Sequence, residues 1–157
     1  MSSADPGLHA VPNIQAQTVL VVEEEIFVRS ALGDFLRTCG LHVIEAANAA
    51  EAIRVLASGT DIDLLFSDVP MPGFIDGIGL AQWVALEHPL IKVILTTGLA
   101  ERAWGSTVNH VVIPKPYENH DLEARIRMLL AESCQEFPRS HANASQQELD
   151  SPGCVIP

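Results

Sequence analysis

The sequence predicts a doubly wound α/β domain, in which a parallel sheet of five strands carries helices on both faces. Three observations predict it. Short apolar, β-branched runs alternate with stretches of helical periodicity through the middle of the chain. Strand and helix follow each other in turn, which calls for right-handed crossovers and a sheet covered on both sides. The alternation fills residues 17–132 of a 157-residue chain, a length suited to one domain.

Thr18-Val19-Leu20-Val21-Val22 is the first strand, and its unbroken apolar run fits burial on both faces. From Glu25 to Thr38 the residues Ile26, Phe27, Leu32, Phe35 and Leu36 recur at helical spacing. Gly40 follows, where a helix commonly stops. Leu41 to Glu45 is the second strand. Asn48-Ala49-Ala50-Glu51 has the spacing of a capping box and opens a helix carrying Ile53, Val55 and Leu56. That helix ends near Gly59.

Ile62 to Ser67 reads as the third strand, and Gly79 to His88 as the third helix, before Pro89. Ile91 to Thr96 is the fourth strand and His110 to Ile113 the fifth. Asn119 to Ala131 is the last helix, with Leu122, Ile126, Leu129 and Leu130 on one stripe. Between Thr96 and His110 only Leu99, Ala100, Ala103 and Trp104 suit a helix, so the crossover helix there is short or absent. These elements predict a flavodoxin-like strand order 2-1-3-4-5. Sheets of that kind gather ligands at the carboxyl ends of their strands.

Residues 1–16 and 133–157 are polar or proline-bearing and read as flexible tails flanking the domain at 17–132. The charge balance of 9 basic against 20 acidic residues gives −11, which argues against direct nucleic-acid binding. Cys39, Cys134 and Cys154 are too few and too scattered for a disulfide framework or a zinc site. A reducing, cytoplasmic setting follows most simply. No basic leader precedes Arg29, and no apolar run reaches membrane-spanning length.

Several polar residues sit just past the predicted strand ends: Glu23 and Glu24 after the first, Asp68 after the third, Thr96 in the fourth and Lys115 after the fifth. Taken singly, each has a plain explanation. Glu23 to Glu25 would suit the dipole of a first helical turn, Asp68 would open a turn, and Thr96 is a β-branched strand residue. The strand order brings them to one edge, where the carboxylates would repel and raise one another's pKa. A hard divalent cation resolves that repulsion, and carboxylates plus waters are the donors Mg²⁺ prefers. Lys115, one of only two lysines, is fixed between Pro114 and Pro116. A carboxylate, a divalent cation, an ammonium and a hydroxyl together suit phosphoryl transfer, with the carboxylate as nucleophile. No glycine-rich phosphate loop follows the first strand, which counts against nucleotide binding.

VLVVEEE, FSDVPMPG, IDGIGLA, VILTTG and IPKPY resemble, in order and spacing, the receiver domain of two-component response regulators. The form MPGFIDG is similar to receivers that stand alone or end hybrid histidine kinases. The resemblance implies that Asp68 is the phosphoacceptor, Thr96 the switch hydroxyl and Lys115 the phosphate-sensing lysine. It implies that Glu24 ligates Mg²⁺ directly, Glu23 through water, and Pro70 through its carbonyl. A histidine kinase or phosphotransfer protein would be the phosphodonor and a downstream protein the target, with homodimerisation left open. Beyond self-catalysed phosphotransfer and dephosphorylation, no enzymatic activity is implied. Three residues depart from the pattern. Glu24 is a methylene longer than the usual Asp, Pro70 lacks the N–H normally offered to the phosphoryl group, and Val112 replaces a switch aromatic. They favour an alternative, a degenerate receiver that binds partners without phosphorylation.

Overall fold

The structure, a computed structural model, describes residues 16–98 and 110–136. Five parallel strands form one sheet: β1 (Thr18–Val22), β2 (His42–Ala46), β3 (Leu64–Asp68), β4 (Lys92–Thr97) and β5 (His110–Pro114). Their order is β2-β1-β3-β4-β5, as the alternation of elements predicts. The helices are α1 (Ile26–Thr38), α2 (Ala49–Ala57), α3 (Gly77–Glu87) and α4 (Asn119–Glu136). The crossover between β4 and β5, where a short helix or none was expected, falls on residues 99–109, outside the described residues.

Successive side chains of a strand point to opposite faces, so each central strand feeds two cores. Leu20, Val22, Leu65, Val93 and Leu95 pack beneath α2 and α3. Val19, Val21, Phe66 and Ile94 face α1 and α4, where they meet Leu32, Leu36, Leu122, Ile126 and Leu130. Burial on both sides explains why β1 and β3 are apolar without alternation.

The helix ends follow local chemistry. Asn48 caps α2 by accepting the Glu51 N–H at 2.9 Å, while the Glu51 carboxylate accepts the Ala47 N–H at 2.7 Å. The capping box is present with its return bond one residue upstream. Gly40 follows α1 at φ +85°, a left-handed conformation that strains other residues.

Of the apolar residues at helical spacing in α1, Ile26 and Phe27 stand outside the core, 58% and 81% exposed. The last helix, expected to stop at Ala131, runs on to Glu136. No Gly or Pro interrupts the chain before Pro138, so polar composition alone did not mark an end.

Removing the α2 cap should be measurable. Asn48→Ala is expected to cost about 0.5–2 kcal/mol in urea unfolding, with Asn48→Asp close to wild type. An unchanged midpoint in Asn48→Ala would show that the Glu51 bond alone holds the helix start.

Candidate functional site

Parallel register assembles the site. Val22 pairs with Ser67, so Glu23 and Asp68 leave β1 and β3 side by side. Asp68 pairs in turn with Thr96 on β4. The Lys115 N–H donates to the Thr97 carbonyl at 2.8 Å, which places Lys115 at the end of β5 on the same rim.

Lys115 Nζ lies 2.9 Å from Asp68 Oδ2 and 3.4 Å from Glu23 Oε2. Both carboxylates are buried, Glu23 at 4% exposure and Asp68 at 7%. Two buried carboxylates repel and lose hydration, and the shared ammonium offsets both effects. Burial works against the Lys115 charge. The hydrogen bond and charge of Asp68, then the charge of Glu23, outweigh it and lift the Lys115 pKa above 10.5. Tyr117 stands edge-on to Phe66 with ring centres 6.1 Å apart. Burial raises its phenol pKa, and Lys115 acts against that rise.

The remaining oxygens are tied to the backbone. Asp68 Oδ1 accepts the Val69 N–H at 2.9 Å, and the Thr96 carbonyl shares that donor at 2.9 Å. Glu23 Oε1 accepts the Glu25 N–H at 3.1 Å. The Thr96 hydroxyl is fully buried and has no hydrogen-bond partner among the described residues. Buried polar groups of that kind are rare and ask for an explanation. Here a hydroxyl donor stands one strand away from a carboxylate.

Of the expected site residues, the structure brings together Glu23, Asp68, Thr96 and Lys115. Glu24, next to the buried Glu23, is exposed. Among the described residues no three His, Cys, Asp or Glu groups converge as a metal cage. Mg²⁺ usually takes only one or two carboxylates plus waters, so the donor pair fits that ion. Pro70 is exposed on the turn after β3, and Val112 is 37% exposed on β5.

Sequence reasoning overlooked Gly77. Its N–H donates to the Val69 carbonyl at 3.0 Å, and a Cβ there would stand 2.2 Å from the Asp68 carbonyl oxygen. Only glycine lets α3 start this close to Asp68. Asp76 caps that start by accepting the Ile78 and Gly79 N–H groups at 3.1 and 2.9 Å. The visible signal was Asp-Gly at the head of an apolar stretch, a cap followed by a residue with no side chain.

A family model described as "Response regulator receiver domain" matches residues 19–127. The chain is 34% identical over 118 residues to a Brucella abortus protein named sensor kinase CckA, covering 72% of this chain and 12% of that one. It is 34% identical over 122 residues to a Cyanophora paradoxa protein named probable transcriptional regulator ycf27, covering 74% of this chain and 49% of that one. The chain thus spans less than half the length of these curated relatives. Among solved structures, the receiver domain of hybrid histidine kinase CckA is 33% identical with a TM-score of 0.62, covering 72% of this chain and 98% of that one. Response regulator protein TrrA of Thermotoga maritima, solved in complex with Mg(2+)-BeF, is 27% identical with a TM-score of 0.65, at the same coverages of 72% and 98%.

Two outcomes follow from the geometry. Gly77→Ala should destabilise the fold by about 1–3 kcal/mol, the usual range for overpacking, since the atoms it meets are backbone. A wild-type urea midpoint in that variant would refute the close approach. The raised Lys115 pKa also fixes a sign. The stability gained from its charge is complete below the ordinary lysine value and fades as pH rises through the raised one. The stability difference between wild type and Lys115→Met should therefore be flat through neutral pH and fall only above 10.5. A difference that changes near neutral pH would assign it to another group.

Proposed function

The chain belongs to the response regulator receiver family, and we propose that it accepts a phosphoryl group on Asp68 in a Mg²⁺-dependent reaction and signals by binding a protein partner. The supporting observation is a buried carboxylate with an ammonium already bound and, on the neighbouring strand, a hydroxyl with no partner among the described residues.

An Asp68 oxygen attacks the phosphorus of a phosphohistidine on a histidine kinase or phosphotransfer protein. The O–P bond forms as the N–P bond breaks, and the bonding pair leaves with the imidazole. The product is an acyl phosphate on Asp68. Lys115, already 2.9 Å from Asp68, follows the new charge onto the phosphoryl oxygens. The Thr96 hydroxyl donates to another of them and so gains its missing partner. Mg²⁺, when bound, supplies positive charge to the transferring oxygens. Asp68 and Glu23 are the donors that would hold it, with Glu24 and the Pro70 carbonyl on the same rim. Pro70 has no N–H to offer, so Lys115 and Thr96 carry the recognition of the phosphoryl group.

Attack by water on the same phosphorus restores Asp68. The protein's own catalysis then ends at phosphotransfer and dephosphorylation. The kinase and regulator names of its relatives and the Mg(2+)-BeF complex of TrrA support this reading. A cytoplasmic place of work fits it, and among the described residues no helix is long and apolar enough to cross a membrane.

Incubation with Mg²⁺ and a small acyl phosphate donor should add one phosphoryl group by intact mass. The adduct should vanish in Asp68→Asn and on chelation of the metal. A wild-type protein that gains no mass, or an Asp68→Asn variant that still does, would leave the phosphorylation-independent interaction module as the better account.

A further inference from the structure

Helix α1 carries a cation at its unfavourable end. Arg29 is its fourth residue, where the helix dipole disfavours positive charge. The side chain folds back over the helix start and is only 14% exposed. Its Nη1 donates to the Glu23 carbonyl at 2.7 Å and to the Glu24 carbonyl at 3.4 Å. Its Nε faces Glu45 Oε2 on β2 at 3.6 Å. Arg37 holds the other Glu45 oxygen at 2.8 Å and donates to the Val43 carbonyl at 3.3 Å.

A second observation shows that this array is built into the fold. Gly33 sits in the middle of α1, where glycine is a poor helix former. A Cβ there would lie 2.7 Å from Glu45 Oε1 and 3.1 Å from Arg37 Nη1. The helix forgoes a side chain where the Glu45–Arg37 pair rests on it.

We propose that Arg29 is a positioning residue for the phosphoacceptor site, fixing the Glu23–Glu24 turn so that the Glu23 carboxylate stays aimed at Lys115 and Asp68. The proposal rests on the reading of Asp68 given above. Glu23 is held at four points. Its N–H donates to the Ala46 carbonyl at 3.2 Å, its carbonyl accepts from Arg29, Oε1 accepts from Glu25, and Oε2 meets Lys115. A glutamate has one more rotatable bond than an aspartate, so its carboxylate lands in one place only if its backbone is pinned. Arg29 does the pinning, and Glu45, braced by Arg37, sets the plane of the guanidinium.

The reporter is the Glu25 amide, whose hydrogen bond to Glu23 Oε1 exists only while that carboxylate is in place. In the full chain, amide exchange by NMR should quicken at Glu25 by about tenfold in Arg29→Ala, the size of one lost charge-assisted bond. Exchange at Ile126 in α4 should not change. Mg²⁺ affinity by calorimetry should fall by a similar factor. Arg29→Lys, which keeps a charged donor, should recover part of both. Glu45→Gln should give a smaller change in the same direction and add nothing to Arg29→Ala. Wild-type exchange at Glu25 in Arg29→Ala, equal acceleration at Ile126, no recovery in Arg29→Lys, or additive effects of Glu45→Gln would each overturn the proposal. A wild-type protein that never takes a phosphoryl group would refute the phosphoacceptor reading of Asp68, while the Glu25 exchange would still decide the role of Arg29.

Discussion

Two carboxylates are buried at the ends of adjacent strands, and one ammonium reaches both. Lys115 offsets the repulsion between Asp68 and Glu23, which lie close together and away from water. Much of the architecture serves that triangle. The order β2-β1-β3-β4-β5 puts β1 beside β3, and β4 and β5 carry Thr96 and Lys115 to the same rim. Pro114 and Pro116 restrict the backbone that aims the lysine. The apolar layers on both faces hold the strand ends still enough for bonds of about 3 Å to persist.

The two donors at this rim are engaged differently. The ammonium is held by carboxylates, while the Thr96 hydroxyl has no partner among the described residues. An arriving anion would find one donor that must be shared and one that is free. The two differ in kind: the lysine answers to charge at a distance, whereas the hydroxyl requires contact and direction.

Much of this was legible in the sequence, and the part that was not has physical reasons. Unbroken apolar runs located β1 and β3 because strands buried on both faces cannot alternate. The stripe Leu122, Ile126, Leu129, Leu130 located α4, whose inward residues Leu122, Ile126 and Leu130 are fully buried. Asp68, Thr96 and Lys115 were visible because each stands at or just past the end of a recognisable strand. Periodicity could not reveal that Ile26 and Phe27 are exposed, since it reports a helical face and not what that face meets. Nor could it separate Glu23 from Glu24, because two identical neighbours diverge only once the strand end is built. Gly77 and Arg29 act across contacts that span turns and strands, and a linear reading has no register for those.

The meeting of Gly77 with Asp68 and Val69 has a mechanical consequence. The two segments touch backbone to backbone, so no rotamer change can absorb a shift of the Asp68 peptide. Helix α3 begins at that contact and is 11 residues long. A shift of the Asp68 peptide would therefore have to carry the start of α3 with it.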